Sequence, residues 1–372
     1  MKIGYDGKRA TKNLTGLGNY SRWLIESISN LYPNHEYLVY TKTINDSPRV
    51  KNFIGSENIK IKTPVHNKFL WRRMGIIKDL IKDRIKIYHG LSNEIPFGIQ
   101  HSKIKTVVTI HDLMFLNYPK HYGWLDAKLY NWKSKSSCDA ATKIIAISEN
   151  TKNDIIKFYK INPDKIEVIY QSCHDQFKIM LHEDELNNIK NKYNLPNKYI
   201  LYVGTVESRK NLAALVKALS KVDEDLKLVV VGKKKKYFYK IIEPLINKLN
   251  LDSRILFFEN LEFIDLPGFY QNAEVFVLPS FYEGFGIPII EALYSNIPVI
   301  TSLGSCLEEA GGPDSKYVDP NDVDGIVLNI NLITHNKEIR ENMIQKGRLF
   351  VEKFDTTNLC KQLMDCYNSI ID

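Results

Sequence analysis

Cysteine is scarce and scattered in this chain: five residues, Cys138, Cys173, Cys306, Cys360 and Cys366, with no CxxC pair and none inside the motifs below. An odd, dispersed set fits reduced thiols and excludes a disulfide frame or a cysteine-built zinc site. No apolar run is long enough to span a bilayer. The opening Met1-Lys2-Ile3-Gly4-Tyr5-Asp6 lacks the apolar stretch and small-residue cleavage site of a signal peptide. A cytoplasmic location is therefore expected. Low-complexity tracts and short-period repeats are missing too, and 44% hydrophobic with 25% charged residues is a globular balance that excludes global disorder. A length of 372 residues is long for one α/β core and suits two domains.

What is in excess is positive charge, 51 Lys+Arg against 43 Asp+Glu, for a net +8. Such an excess can serve nucleic acid, anionic lipid head groups or a phosphate-bearing substrate, or simply solvate the surface. Lys233-Lys234-Lys235-Lys236 follows a strand-like run ending in Gly232 and reads as a solvated loop, so no nucleic-acid partner is expected. Lys68-Phe69-Leu70-Trp71-Arg72-Arg73 mixes aromatic and basic residues, which suits a membrane interface. A structural helix that packs Phe69 and Trp71 inward fits the same residues, and both readings stay open.

Short β-branched and aromatic runs alternate with longer helical patterns, as parallel βαβ units require. Strands are expected at residues 2–5, 37–40, 59–62, 86–89, 106–110, 143–147 and 165–169, then at 199–203, 227–231, 254–258, 274–278, 298–301 and 316–318. Tyr20, Leu24, Ile28 and Leu31 recur on one helical face, as do Leu359, Leu363, Cys366, Tyr367 and Ile370 near the end. Residues 171–198 are more polar and hold one short amphipathic helix before Pro196. The economical reading is an α/β chain of two doubly wound, Rossmann-like domains: 1–172, a linker at 173–198, and 199–354.

Open α/β sheets bind ligands beyond the carboxyl ends of their strands, so a functional motif should directly follow a strand. Four do. Thr15-Gly16-Leu17-Gly18-Asn19 lies between the first strand and the first helix. Paired glycines admit a close backbone approach, and a helix start offers free N–H groups to an anion. A plain turn also explains them, and the missing third glycine of a dinucleotide fingerprint argues against an NAD-dependent oxidoreductase. His111-Asp112 follows the run 107–110. A histidine there can hydrogen-bond a sugar hydroxyl or move a proton, or can be fixed by its neighbour for structural reasons.

The third motif is Gly204-Thr205-Val206-Glu207-Ser208-Arg209-Lys210-Asn211. A glycine turn followed by Arg and Lys at a helix start suits a diphosphate: a fork, a point charge and backbone donors together. Two cations at the positive end of a helix oppose its dipole, so an anionic partner is expected. The fourth runs from Pro279 through Glu283-Gly284-Phe285-Gly286-Ile287-Pro288 to Glu291-Ala292. Gly284 and Gly286 imply an irregular loop with exposed amides, Pro288 suits a helix start, and Glu291 then falls in the first helical turn. Carboxylates accept vicinal hydroxyls well, and the amides between them suit phosphate oxygens.

The spacing Glu283-x7-Glu291 within EGFGIP, with Gly204 and Arg209-Lys210-Asn211 upstream, resembles family four of the retaining glycosyltransferases. Pro298-Val299-Ile300-Thr301-Ser302, Glu309-Ala310-Gly311, Val318-Asp319-Pro320, Gly16-Leu17-Gly18 and His111-Asp112 are similar to that family as well. The resemblance implies a GT-B fold: two Rossmann-like domains facing each other across a cleft, the first on the acceptor side and completed by residues 355–372, the second holding a nucleotide-sugar. It implies that Arg209 and Lys210 neutralise the departing diphosphate. Glu283 and the amides of Gly284, Phe285, Gly286 and Ile287 would hold the transferred sugar, and Glu291 the ribose hydroxyls. His111 would contact the sugar near the reacting carbon, Asn260 and Leu261 would lie beside the nucleobase, and Gly16, Gly18 and Gly204 would border the donor.

Asn296 stands where the family usually has glycine, which a left-handed turn tolerates, and Glu308 where it often has proline. Asp322-Val323-Asp324 matches the DxD pattern of metal-dependent transferases, but its place before an apolar helical run suits a helix cap, and no metal or cofactor is expected. The expected activity is transfer of a hexose from GDP-mannose or a UDP-sugar, with retention, to a hydroxyl of a glycan or lipid-linked acceptor in cell-surface polysaccharide synthesis. No residue stands out as a covalent nucleophile, which favours front-face attack with the leaving phosphate taking the proton. A nucleotide-sugar epimerase of the same fold, or a non-catalytic nucleotide-sugar binder, would share the diphosphate site. Thr109-Ile110-His111-Asp112-Leu113 and Ala146-Ile147-Ser148 lean toward the mannosyltransferases that use a guanine nucleotide. The basic first domain hints at work on the inner membrane face, in peripheral contact with anionic lipid.

Overall fold

The computed structural model describes residues 1–14, 16–64, 70–118 and 123–371. The chain folds into two compact units, Met1–Gln171 with Asp355–Asp372, and Ser172–Phe354. Among the helices between its strands are α1 (Gly16–Leu31), α2 (Trp124–Ala140), α3 (Glu183–Tyr193), α4 (Leu212–Leu219), α5 (Ile287–Tyr294) and α6 (Thr356–Ser369).

The first unit holds a seven-stranded sheet of β1 (Lys2–Asp6), β2 (Glu36–Tyr40), β3 (Ile59–Lys62), β4 (Ile87–Gly90), β5 (Lys105–Ile110), β6 (Lys143–Ala146) and β7 (Ile166–Val168). Its order is β3-β2-β1-β4-β5-β6-β7 and every pairing is parallel. Helices cover both faces, so the strands are apolar on both sides, as parallel sheets demand. Ile3, Tyr5, Tyr37 and Val39 join the core under α1 and α6, while Leu38, Tyr40, Tyr88 and Val108 join the core on the other face. Tyr20, Leu24 and Ile28 of α1 are buried as their spacing predicts, but Leu31, the last residue of that helix, is exposed. The final helix, α6, packs on α1 through Leu359, Leu363 and Tyr367. The buried Tyr367 hydroxyl lies 2.6 Å from His89 Nδ1, and His89 Nε2 lies 2.8 Å from Thr109 Oγ1.

The second unit holds a parallel six-stranded sheet of β8 (Tyr199–Val203), β9 (Lys227–Val231), β10 (Ile255–Phe258), β11 (Val275–Leu278), β12 (Val299–Ser302) and β13 (Lys316–Val318), ordered β10-β9-β8-β11-β12-β13. Residues 173–198, expected as a linker, belong to this unit instead. Its α3 packs against the helix Leu266–Gln271 so closely that a Cβ on Gly268 would stand 2.5 Å from Ile189 Cδ1. The polar composition that suggested a connection is the solvent face of a docked helix.

Two expectations about basic segments change. Lys68 and Phe69 lie outside the described residues, but Trp71 is buried and its Nε1 donates to Asp79 Oδ2 at 2.6 Å. Arg72 forks onto the buried Asp6 and donates to Glu94 at 2.6 Å. Of this segment, Trp71 and Arg72 are thus packed inward, whereas Leu70 is exposed. The run Lys233–236 is only partly a solvated loop: Lys235 pairs with Glu207, and Lys234 Nζ lies 4.6 Å over the Phe257 ring. The DxD-like carboxylates are also spoken for. Asp322 caps its helix by accepting from the Gly325 amide at 2.8 Å, and Asp324 meets Lys221 at 2.6 Å.

Candidate active site

The loops beyond the carboxyl ends of β8 and β11 build the charged centre of the second unit. Backbone conformation comes first. Gly204 (φ 153°) and Gly232 (φ 157°) end β8 and β9 with positive φ, and a Cβ on Gly232 would stand 2.0 Å from the Gly204 carbonyl oxygen. Only glycine lets the two strand ends approach this closely. The chain then makes a 3-10 turn at Ser208–Lys210, passes Asn211 in the left-handed region (φ 52°), and enters α4. Arg209 and Lys210 thus sit one turn ahead of the helix, not in it. Asn211 anchors the turn by donating to the Pro320 carbonyl at 2.6 Å.

The β11 loop docks on this turn: the Phe281 amide donates to the Arg209 carbonyl at 2.8 Å. That contact brings a carboxylate between the two cations. Arg209 Nη1 donates to Glu283 Oε2 at 2.7 Å, while Lys210 Nζ donates to Glu283 Oε1 at 2.7 Å. Ser280 Oγ adds a third hydrogen bond at 3.0 Å. The anionic partner that the two cations called for is, in this state, the protein's own Glu283. Burial alone would raise the Glu283 carboxyl, but the charges and hydrogen bonds of Lys210 and Arg209 bring it down to about 2. Arg209 Nε also lies 3.4 Å from Glu207, which in turn pairs with Lys235.

Gly286 (φ 122°) turns the chain into α5 after Gly284 and the buried Phe285. The helix begins at Ile287, so Glu291 falls in its second turn rather than its first. Glu291 is half-buried and accepts from the Tyr270 hydroxyl at 2.7 Å. Burial raises its carboxyl to about 7, against the opposing pull of the Tyr270 hydrogen bond and the Lys210 charge. Asn260, exposed, and Leu261, half-buried, follow β10, two strands over from β8.

In the first unit, His111 directly follows β5 and is buried at 6% exposure. Its Nε2 lies 2.8 Å from the Leu91 carbonyl, an acceptor only, so that nitrogen carries the proton; Nδ1 then accepts from Gln171 Nε2 at 3.1 Å. Burial lowers the imidazole to about 4, which keeps it neutral near pH 7. The Tyr20 ring closes on it edge-on with centroids 4.7 Å apart. Asp112 does not fix this ring; its Oδ1 accepts from the Met114 amide at 3.1 Å. A cavity of about 220 Å³ opens beside His111, lined by Arg9, Asn93, Asp112, Tyr130 and Lys133 among others. Gly16 and Gly18 lie within the first turn of α1 rather than in a loop, and Thr15 lies outside the described residues. Gly18 is a packing position, since a Cβ there would stand 1.8 Å from the Asn13 carbonyl oxygen, whereas Gly16 faces open space.

The structure thus joins Arg209, Lys210 and Glu283 directly and sets Glu291 within reach of the Lys210 charge, while His111, Gly16 and Gly18 belong to the other unit. Glu207, Tyr270 and Ser280 escaped the sequence reading. Glu207 and Ser280 lie inside quoted motifs and had a local signal; Tyr270 had none. Cys306, which seemed remote from every motif, donates its thiol to the Glu283 carbonyl at 3.0 Å, and all five cysteines are buried.

Two family models together match most of the chain: Glycosyltransferase Family 4 over residues 20–174 and Glycosyl transferases group 1 over residues 184–350. The chain belongs to the family 4 glycosyltransferases. This glycosyltransferase is 27% identical to the O-antigen chain mannosyltransferase B of Escherichia coli over 389 residues, 99% of each protein. It is 27% identical to the O-antigen chain mannosyltransferase RfbU of Salmonella typhimurium over 257 residues, 69% of this chain and 67% of that protein. Among solved structures, Anabaena Alr3699/HepE in complex with UDP and glucose superimposes with a TM-score of 0.79 at 15% identity, covering 99% of this chain and 100% of that one. The glycosyltransferase therefore has the GT-B fold, with its two parallel-sheet Rossmann-like domains.

Proposed function

We propose that the glycosyltransferase moves a mannosyl residue from GDP-mannose, with retention of anomeric configuration, to a hydroxyl of a lipid-linked glycan in cell-surface polysaccharide synthesis. The observation that carries this reading is the convergence of Arg209 and Lys210 on one point at 2.7 Å each, at the carboxyl edge of the second sheet. When the donor's bond to the sugar breaks, charge accumulates on the diphosphate, and two fixed cations in a water-poor pocket oppose that charge. Glu283, released from the cations, accepts hydroxyls of the sugar, and Glu291 those of the ribose. Two O-antigen relatives are mannosyltransferases, which supports mannose as the sugar.

His111 is neutral and both its nitrogens are occupied within the first unit, so it is not assigned the acceptor's proton. The leaving phosphate takes that proton in a front-face attack. The cavity beside His111 receives the acceptor end. One helix of its wall, α2, turns Ser134, Ser137 and Cys138 inward and leaves Trp124, Leu125 and Trp132 exposed at 68%, 73% and 56%. Aromatic and basic residues on such a face suit the head-group region of a bilayer, which is where a lipid-linked acceptor is carried.

A second reading, a UDP-sugar donor, is favoured by the UDP bound in the HepE structure of the same fold. A thermal-shift series with GDP, UDP and their sugars separates the two, because a ligand at about a hundred times its Kd stabilises a fold by roughly 2.7 kcal/mol. Stabilisation by GDP-mannose that is lost in Arg209→Ala supports the proposal. Stabilisation by no nucleotide refutes it, and a glycosyl-enzyme adduct trapped during turnover refutes the front-face mechanism.

A further inference from the structure

The hydrogen bonds around Glu283 tie both proposed phosphate cations to one carboxylate. Glu283 Oε1 accepts from Lys210 and Ser280, and Oε2 from Arg209. The side chains of Glu283 and Lys210 are 12% and 10% exposed, so little solvent stands in for either partner. Arg209 shares its remaining face with Glu207, itself held by Lys235. A diphosphate that engages Lys210 and Arg209 therefore competes with Glu283 for them. The carboxylate is then left in a water-poor site with the Ser280 hydroxyl as its one remaining partner among those named. An unpaired buried carboxylate is costly, and it is relieved only by new hydrogen-bond donors or by a proton.

A hexose attached to the diphosphate brings such donors, in the form of its hydroxyl groups. A free nucleoside diphosphate brings none at that position, because its ribose hydroxyls are the ones assigned to Glu291. We infer that Glu283 acts as an exchangeable counter-ion that makes the site favour the intact nucleotide-sugar over the free nucleoside diphosphate. This rests on the reading of Arg209 and Lys210 as the diphosphate site. The device speeds release of the spent nucleotide, because the departing product gives both cations back to Glu283. It also ties sugar recognition to phosphate binding: a donor whose hydroxyls do not reach Glu283 forfeits two ion pairs without replacement.

Titration calorimetry with GDP and GDP-mannose tests this on wild type, Glu283→Gln and Arg209→Ala, with UDP and UDP-glucose run in parallel. Glu283→Gln keeps the shape and the Ser280 contact but removes the competing charge. It is expected to bind the free diphosphate about tenfold more tightly than wild type and the nucleotide-sugar more weakly, so the preference for the sugar-bearing form collapses. Proton exchange supplies a second measurement. A displaced Glu283 gains affinity for a proton, so near pH 7 the wild-type protein takes up more protons on binding the free diphosphate than on binding the nucleotide-sugar, once the exchange of the free diphosphate's own terminal phosphate, measured on Glu283→Gln, has been subtracted; both are read from heats in buffers of different ionisation enthalpy. Equal proton uptake for the two ligands after that subtraction overturns the inference, as does a Glu283→Gln protein that binds the free diphosphate no better than wild type while Arg209→Ala still abolishes binding. If Arg209→Ala binds as well as wild type, the diphosphate site itself is misplaced and the inference falls with it.

Discussion

The carboxyl of Glu291 makes the sharpest prediction, because its raised value of about 7 places the change of charge where assays are run. If the ionised carboxylate is the form that accepts ribose hydroxyls, donor binding must deprotonate it. At pH 5, two units below its midpoint, only about 1% of the free protein is ionised, so affinity falls up to about a hundredfold from pH 8 to pH 5. A protonated carboxyl still accepts one hydrogen bond, which makes this an upper limit. GDP-mannose is the ligand of choice, since its diphosphate is esterified at both ends and does not itself titrate in this range. Glu291→Gln flattens the profile. Tyr270→Phe removes the 2.7 Å hydrogen bond that favours the carboxylate, so the midpoint moves up and the weakening begins at higher pH. The ligand-free protein shows the opposite linkage. A carboxyl raised from 4.5 to about 7 on folding contributes stability that is full below about pH 4.5 and is lost as pH climbs through about 7. Calorimetry from pH 5 to pH 8.5 measures the affinity; a wild-type profile as flat as that of Glu291→Gln refutes the assignment.

Three further outcomes are expected. Gly232→Ala places a Cβ 2.0 Å from the Gly204 carbonyl at a φ of 157°, costing roughly 1–3 kcal/mol in strain or displacement and loosening the loop that carries Arg209; urea denaturation and nucleotide binding should both register it. Tyr367→Phe deletes the 2.6 Å contact to His89 in a fully buried setting, with an expected loss of about 1–3 kcal/mol in urea denaturation and a smaller loss when His89→Leu is already present. Replacing Trp124, Leu125 and Trp132 by Ser leaves the melting temperature within a degree or two, since these side chains are exposed, but weakens sedimentation with phosphatidylglycerol vesicles about tenfold per side chain. Equal sedimentation of wild type and variant removes α2 as the membrane-facing element.

Much of this was legible locally. Runs such as Tyr199–Val203 and Lys227–Val231 occur as strands with the bounds expected of them, because a parallel strand buried on both faces needs an uninterrupted apolar run. Elements whose patterns mixed polar and apolar residues were harder. The stretch around α3 looked like a connection because only one narrow stripe, centred on Ile189, is buried. In α2 the usual amphipathic logic is inverted, with small residues inward and aromatics outward, so no periodic stripe marked it.

The sequence by itself determined the alternation of strands and helices, the loops at which chemistry would gather, and the residue types gathered there, since each of these depends on neighbours within a few positions. The tertiary structure alone decided which charges meet. Arg209 and Glu283 are 74 positions apart, and Tyr270 meets Glu291 across 21. It likewise decided that Trp71 faces inward while Trp124 faces out. Ion pairing and burial are set by distances through space, and those exist only once a sheet has formed and laid the carboxyl ends of its own strands side by side.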